Sequence, residues 1–333
     1  MLKKVFMGFS STSFPCLLLI AYCLVLTTGC AHAPMRSGYT GPEALPAQVS
    51  AYYDYPAQSL KAYTVSFLLK QNDGIRERLI RLPLIAPDFN PTEPVVEFEW
   101  FESGLPGKRP AIVFNPILGG DYYLERGLCR FFAEQGFHVA LIHRKTLKVS
   151  PEHPVERLEL LLRQGVLRIR QVVDWMSAQE AVDANRLGSF GISMGGIAGA
   201  VTAAVEPRLQ AHVIALAGGP IADILMDSKD PMLTKARRRY LEQNRISAET
   251  LKARLQAAIR TDPIQLASYS DARDIFMFIA LFDRTIGRSH SITLRDALGE
   301  PDVIYLPTGH YSAFIFLPLV KRESLRFFRE HLG

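Results

Sequence analysis
A succession of short, largely apolar runs separated by helix-patterned sequence constrains this chain more than any other feature. The runs are Ala111–Phe114, Phe137–Ile142, Leu187–Gly191, His212–Leu216, Ile275–Leu281 and Val303–Leu306. Helical spacing fills the intervals: about 122–135, then 156–179, where Leu158, Leu162, Ile169, Val172, Val173 and Met176 share one face, then a helix from Met194 and a last one at Leu317–His331. Strands without a polar face cannot border water, so helices must cover both sides. The pattern therefore predicts an α/β fold with a mostly parallel sheet. Upstream, Tyr63–Leu68, Arg78–Leu82 and Val95–Trp100 read as strands, and the last two alternate apolar with charged side chains as half-buried antiparallel strands do. Between about 220 and 272 the rhythm breaks into charged helical stretches, Met232–Arg245 and Ser247–Arg260, which read as a small helical cap inserted over the sheet's C-terminal edge.

The first 29 residues have the form of an export signal. Lys3 and Lys4 precede an apolar run of 13 residues, Phe14–Leu26, short of the roughly 20 needed to span a bilayer. The segment Leu26-Thr27-Thr28-Gly29-Cys30 resembles the lipobox of bacterial lipoproteins. That resemblance implies cleavage before Cys30, acylation of Cys30 with palmitate-type chains and stable membrane anchoring. Ala31 at the next position resembles the outer-membrane sorting pattern, which implies a protein facing the periplasm. Residues 30–58 have little periodicity and read as a flexible tether, leaving 59–333 as one domain with its cap.

Charge and cysteine usage narrow the function. Net charge is +5, or +3 (36 basic against 33 acidic) once Lys3 and Lys4 are set aside, and both signs are interleaved, which argues against nucleic acid as a partner. The run Arg237-Arg238-Arg239 reads as a solvated helix face. Three of the four cysteines, Cys16, Cys23 and Cys30, lie in or at the end of the signal, so Cys129 has no intrachain disulfide partner.

Gly191-Ile192-Ser193-Met194-Gly195 fits G-x-S-x-G between a strand and a small-residue helix. The motif sets a nucleophilic hydroxyl on a strained strand-to-helix turn, and the flanking glycines leave it room. Ser193 would then sit at a helix N-terminus, with the Met194 amide facing any oxyanion that forms. A serine needs a base. His310, after the last strand in Pro307-Thr308-Gly309-His310-Tyr311-Ser312, is best placed, with His143 in reserve, while burial in strands explains His138 and His212. The base needs an acid. Asp283 follows the run ending at Phe282; Asp223, Asp227, Asp271 and Asp274 are rivals.

The order Ser193, Asp283, His310 resembles the α/β-hydrolase order of nucleophile, acid and histidine. Together with Val173-Asp174-Trp175 and Val182-Asp183-Ala184-Asn185-Arg186-Leu187, it resembles the dienelactone-hydrolase and prolyl-oligopeptidase-like branch. The resemblance implies a serine hydrolase that cleaves a small-molecule or lipid ester or thioester through an acyl-enzyme, without cofactor or metal. The oxyanion hole would pair the Met194 amide with one from the loop Asn115-Pro116-Ile117-Leu118-Gly119. Pro116 has no N–H, so the donor is Ile117 or Leu118. An acyltransferase, or a non-catalytic lipid- or partner-binding lipoprotein on the same fold, is the alternative. Ile221, Ile224, Leu225 and Met226 of the insertion are suited either to lining an acyl site or to inward packing.

Overall fold
The computed structural model describes residues 30–56, 64–72, 74–85, 94–119, 121–144 and 152–333. The expected signal, residues 1–29, lies outside the described residues, as do residues 57 and 58 of the expected tether, Tyr63 and Gly120.

The core of the molecule is a ten-stranded sheet in the order β1-β10-β9-β8-β7-β5-β6-β4-β3-β2. Strands β2 (Val65–Asn72), β3 (Ile75–Pro83) and β4 (Val95–Ser103) form an antiparallel meander. Its alternating side chains put Ile80, Leu82, Val96, Phe98 and Trp100 inside. β6 (His138–Ile142) joins β4 antiparallel. From there β5 (Arg109–Asn115), β7 (Val182–Ile192), β8 (Leu209–Ala215), β9 (Ile275–Ala280) and β10 (Asp302–Leu306) continue in parallel with β6. Every residue of β6 and β9 is buried, as continuous apolar runs require.

Helices cover both faces. On one, α2 (Tyr123–Glu134) and α10 (Leu317–Leu332) pack Leu128, Phe132, Phe327 and Phe328 against Phe114, Phe190, Phe276 and Phe278; the Phe114 and Phe190 rings stack at 4.9 Å. On the other, α3 (Glu156–Ser177) sets Trp175 edge-on to Phe98 and Trp100, at 5.0 and 5.2 Å. Beside it, α4 (Met194–Val205) covers Ile214 and Met277 with Ile197 and Ala200. Each strand anticipated from the sequence has a counterpart. The insertion holds α5 (Ile221–Asp227), α6 (Pro231–Asn244), α7 (Ala248–Ala258) and the single turn α8 (Pro263–Leu266). Asp230 caps α6 through the Met232 and Leu233 amides, and Ser247 caps α7 through Thr250. Helix α9 (Arg288–Ala297) carried no mark in the sequence reading.

The expected tether is the main correction. Residues 31–33 form β1, which pairs antiparallel with β10 and closes that edge of the sheet. Residues 47–52 form a helical turn, α1, and the tyrosines around it are docked on the body. Tyr53 is buried and its hydroxyl lies 3.1 Å from Thr261 Oγ1. The Tyr52 hydroxyl donates to Glu159 at 2.8 Å, Tyr55 to Asp174 at 2.5 Å and Tyr39 to the Ser270 carbonyl at 3.1 Å. Isolated aromatics with no period between them leave no secondary-structure signal, yet each anchors the segment at one point. Tyr53→Ala should therefore lower the unfolding free energy by about 3 kcal/mol in urea titrations, where a free tether would leave it unchanged.

Candidate active site
Ser193 stands between β7 and α4 with φ 56° and ψ −120°, a region that L side chains enter only under constraint. The constraint is local and steric. A Cβ on Gly191 would overlap the Gly195 carbonyl, and one on Gly195 would overlap the Asn115 carbonyl at the end of β5. Gly196 presses against the Ala215 carbonyl and the Ala217 Cβ. The Ser193 amide donates to the Ala215 carbonyl at 2.8 Å, and its own carbonyl accepts from Ile197 at 3.0 Å. Two neighbouring strands and the first turn of α4 thus hold the bend, and the hydroxyl points into a cavity.

His310 and Asp283, from two other loops at the same sheet edge, meet that hydroxyl. His310 Nε2 is 3.0 Å from Ser193 Oγ, and His310 Nδ1 is 2.7 Å from Asp283 Oδ2. The amides of Thr285 and Ile286 donate to Asp283 Oδ1 at 2.8 and 2.9 Å. One carboxylate oxygen is thereby fixed and the other is left to the imidazole. The Asp283 side chain is almost wholly buried and that of His310 is 9% exposed, so bulk water barely screens the pair. The three residues singled out in the sequence are brought together.

Three of the four rival acids are engaged elsewhere. Asp223 pairs with Lys252 at 2.9 Å, Asp227 with His290 at 3.2 Å and Asp271 with Arg273. His143 has Nδ1 2.9 Å from Glu97 and Nε2 2.9 Å from Glu99, and its ring stacks on Tyr122 at 4.9 Å. Burial opposes its charge, but the two carboxylates win and raise its pKa. Burial likewise works to raise Glu99, yet hydrogen bonds from His143 and Arg126 pull it down to about 2. An imidazole holding two carboxylates cannot accept a proton from a serine. His138 and His212 are packed in the sheet as expected. His138 Nδ1 accepts the Ser103 amide at 3.1 Å, and His212 Nδ1 lies 2.8 Å from Ser189 Oγ.

Met194 is the first residue of α4, so its amide has no intrahelical acceptor. The Ile117 amide donates to the carboxyl of Glu125 at 3.4 Å, a buried side chain that burial keeps above its usual pKa. Leu118 lines the cavity beside Ile117. Both residues proposed for the second donor therefore line the cavity that holds the Ser193 hydroxyl. Asn115, which precedes this loop, is fully buried and its amide group has no hydrogen-bond partner.

The cavity above Ser193 has a volume of about 230 Å³ and is mostly apolar, with Ile192, Leu216, Phe278, Ile286 and Leu306 among its walls. One polar device here escaped the sequence reading. The Tyr311 hydroxyl donates to Asp230 Oδ2 at 2.6 Å while Asp230 Oδ1 caps α6. This bond ties the loop carrying the imidazole to the insertion. The Asp230-Pro231 pair does mark a helix start, but nothing in the sequence places it against Tyr311. Ile221, Ile224 and Leu225 line the cavity, and Ile221 and Ile224 also belong to the buried core, so both readings of this stretch apply. Among the described residues there is no cluster of three or more His, Cys, Asp or Glu side chains able to hold a metal ion.

A parallel sheet with helices on both faces and a strained serine at the central strand-to-helix turn defines an α/β hydrolase. The chain belongs to the prolyl oligopeptidase family, whose model matches residues 129–306, more than half of its length. No curated protein sequence matches it. Among solved structures it is similar to acetyl xylan esterase 1 from Thermoanaerobacterium sp. JW/SL YS485, at 16% identity and a TM-score of 0.64 over 90% of this chain and 99% of that one. It is also similar to the acetyl xylan esterase from Paenibacillus sp. R4, at 18% identity and a TM-score of 0.66 over 88% and 98% of the two chains. A 2,6-dihydroxy-pseudo-oxynicotine hydrolase matches at 16% identity and a TM-score of 0.51, over 81% of this chain and 67% of that one. At these identities the likeness is one of fold.

Two measurements test this geometry. Gly195→Ala should destabilise the protein by about 2 kcal/mol or displace the 115–119 loop, read by thermal unfolding. Burial holds His212 down at about 4. The unfolded chain takes up this proton near pH 6.5, so stability should fall as pH drops from 6.5 towards 4, by up to about 3 kcal/mol from this group. Its imidazole resonances should show no protonation above pH 5.

Proposed function
We propose that this protein is a serine esterase working through an acyl-enzyme. The reading is carried by the continuous hydrogen-bond chain from Ser193 through His310 to Asp283. Ser193 Oγ attacks the ester carbonyl as His310 Nε2 takes its proton, and the Asp283 carboxylate offsets the imidazolium charge through Nδ1–H. The oxyanion meets the Met194 amide and an amide of Ile117 or Leu118; one such donor contributes about 3–4 kcal/mol. His310 then returns the proton to the departing alcohol, leaving acyl-Ser193. A water molecule, deprotonated by His310, releases the acid and restores the serine. The apolar lining suits an uncharged acyl group next to the serine, and similarity to proteins named acetyl xylan esterases supports ester rather than peptide substrates.

The anchor belongs to the same proposal: Cys30 is acylated and holds the protein on the outer membrane, facing the periplasm. Among the described residues no helix is long and apolar enough to cross a membrane. Cys30 directly precedes β1, so a lipid on it would hold the catalytic domain close to the bilayer.

Ser193→Ala should abolish p-nitrophenyl acetate hydrolysis and labelling by a fluorophosphonate. Asp283→Asn should keep the fold and lower kcat by about 10⁴. Full activity in Ser193→Ala would end the esterase reading. For the anchor, Cys30→Ser should lose radiolabelled palmitate and leave the membrane fraction; unlabelled wild-type protein would rule the anchor out.

A further inference from the structure
A second and larger cavity, about 540 Å³, lies between α3 and the inserted helices α5, α6 and α7. Six side chains line both it and the cavity at Ser193: Leu118, Met194, Ile221, Leu225, Met232 and Leu233. The two spaces are thus neighbours that share an apolar boundary. Leucines on α3 and α7, including Leu158, Leu162 and Leu251, make most of its surface hydrocarbon.

Its polar lining is one-sided. Arg157, Lys235, Arg237 and Arg239 border it and no carboxylate does among the described lining residues. Arg237 is occupied, donating to the Leu225 carbonyl at 2.8 Å. Among the described residues Arg157 makes no ion pair, and its Nε is buried without a partner, as is Nδ1 of His153 on the same wall. Buried donors left unpaired are costly, and cations around an apolar space attract a ligand with both a hydrocarbon body and a negative charge. The run 237–239, read from sequence as a solvated helix face, keeps Arg238 and Arg239 exposed, while Arg237 and Arg239 also border the cavity mouth.

We propose that this second cavity binds the aliphatic, anionic arm of an amphiphile, with its charged group, carboxylate or phosphate, held by Arg157 and Arg239. Combined with the esterase reading, on which it rests only for the fate of the bound molecule, this makes the substrate an acyl ester of an anionic amphiphile. The division of labour follows from position: the space at Ser193 takes the reacting ester, and the space beyond Met232 and Leu233 selects what the ester is attached to.

Binding tests the proposal independently of catalysis. In the Ser193→Ala protein, dodecanoate and dodecanol would each be titrated as displacers of a neutral fluorescent naphthylamine. Dodecanoate should bind about ten-fold more tightly than the alcohol, as a charge-assisted pair requires. Adding Arg157→Ala and Arg239→Ala should erase that difference while leaving dodecanol binding intact. Ala236→Trp, at an exposed position on the cavity wall, should weaken both ligands by filling the space. With Ser193 present, the arginine variants should hydrolyse p-nitrophenyl acetate at the wild-type rate. Equal affinity for acid and alcohol, a preference that survives removal of both arginines, or binding indifferent to Ala236→Trp would overturn the proposal. Loss of acetate hydrolysis in the wild type would instead count against the esterase reading alone.

Discussion
The contact between Gly195 and the Asn115 carbonyl governs the rest of this structure. Two parallel strands, β5 and β7, end side by side, and helix α4 begins where β7 stops. The chain can make that turn only if the residues two before and two after Ser193 lack side chains. Ser193 absorbs the strain with a positive φ, and the surrounding sheet bears the cost of order 1–3 kcal/mol such a conformation carries. What the strain gives in return is placement: the hydroxyl stands clear of the sheet at a helix N-terminus, facing two loops that descend from β9 and β10.

Those loops are fixed by hydrogen bonds, some local in sequence and some between distant segments. Asp283 is held by the amides two and three residues on, so its free oxygen has one direction. His310 is tied to Asp283 and, through Tyr311 and Asp230, its loop is tied to the inserted helices. The insertion therefore touches the imidazole's own loop as well as the walls of the cavity.

The residues shared by the linings of the two cavities are all apolar. Leucine and methionine side chains can change rotamer at little cost. The charge pattern adds a direction, since the cations sit on the side of the insertion and α3 while the triad pocket is almost entirely hydrocarbon.

The sequence by itself pointed to the mostly parallel sheet, the elbow and the three residues whose side chains meet at the sheet edge. Each rests on a local rule: continuous apolar runs need two covered faces, a strained turn needs glycines, and chain order after successive strands puts functional loops at one edge. It also separated His310 from His138 and His212, because strand residues announce their burial. Local rules could not find contacts between segments far apart in the chain. The docking of residues 31–56 rests on single tyrosines meeting Thr261, Glu159 and Asp174, and the retirement of His143 rests on Glu97 and Glu99 from a neighbouring strand. The second cavity is of the same kind. Arg157 and Arg239 are ordinary helix residues until packing of α3 against the insertion makes them face one apolar space, and only tertiary structure decides which side chains share a surface.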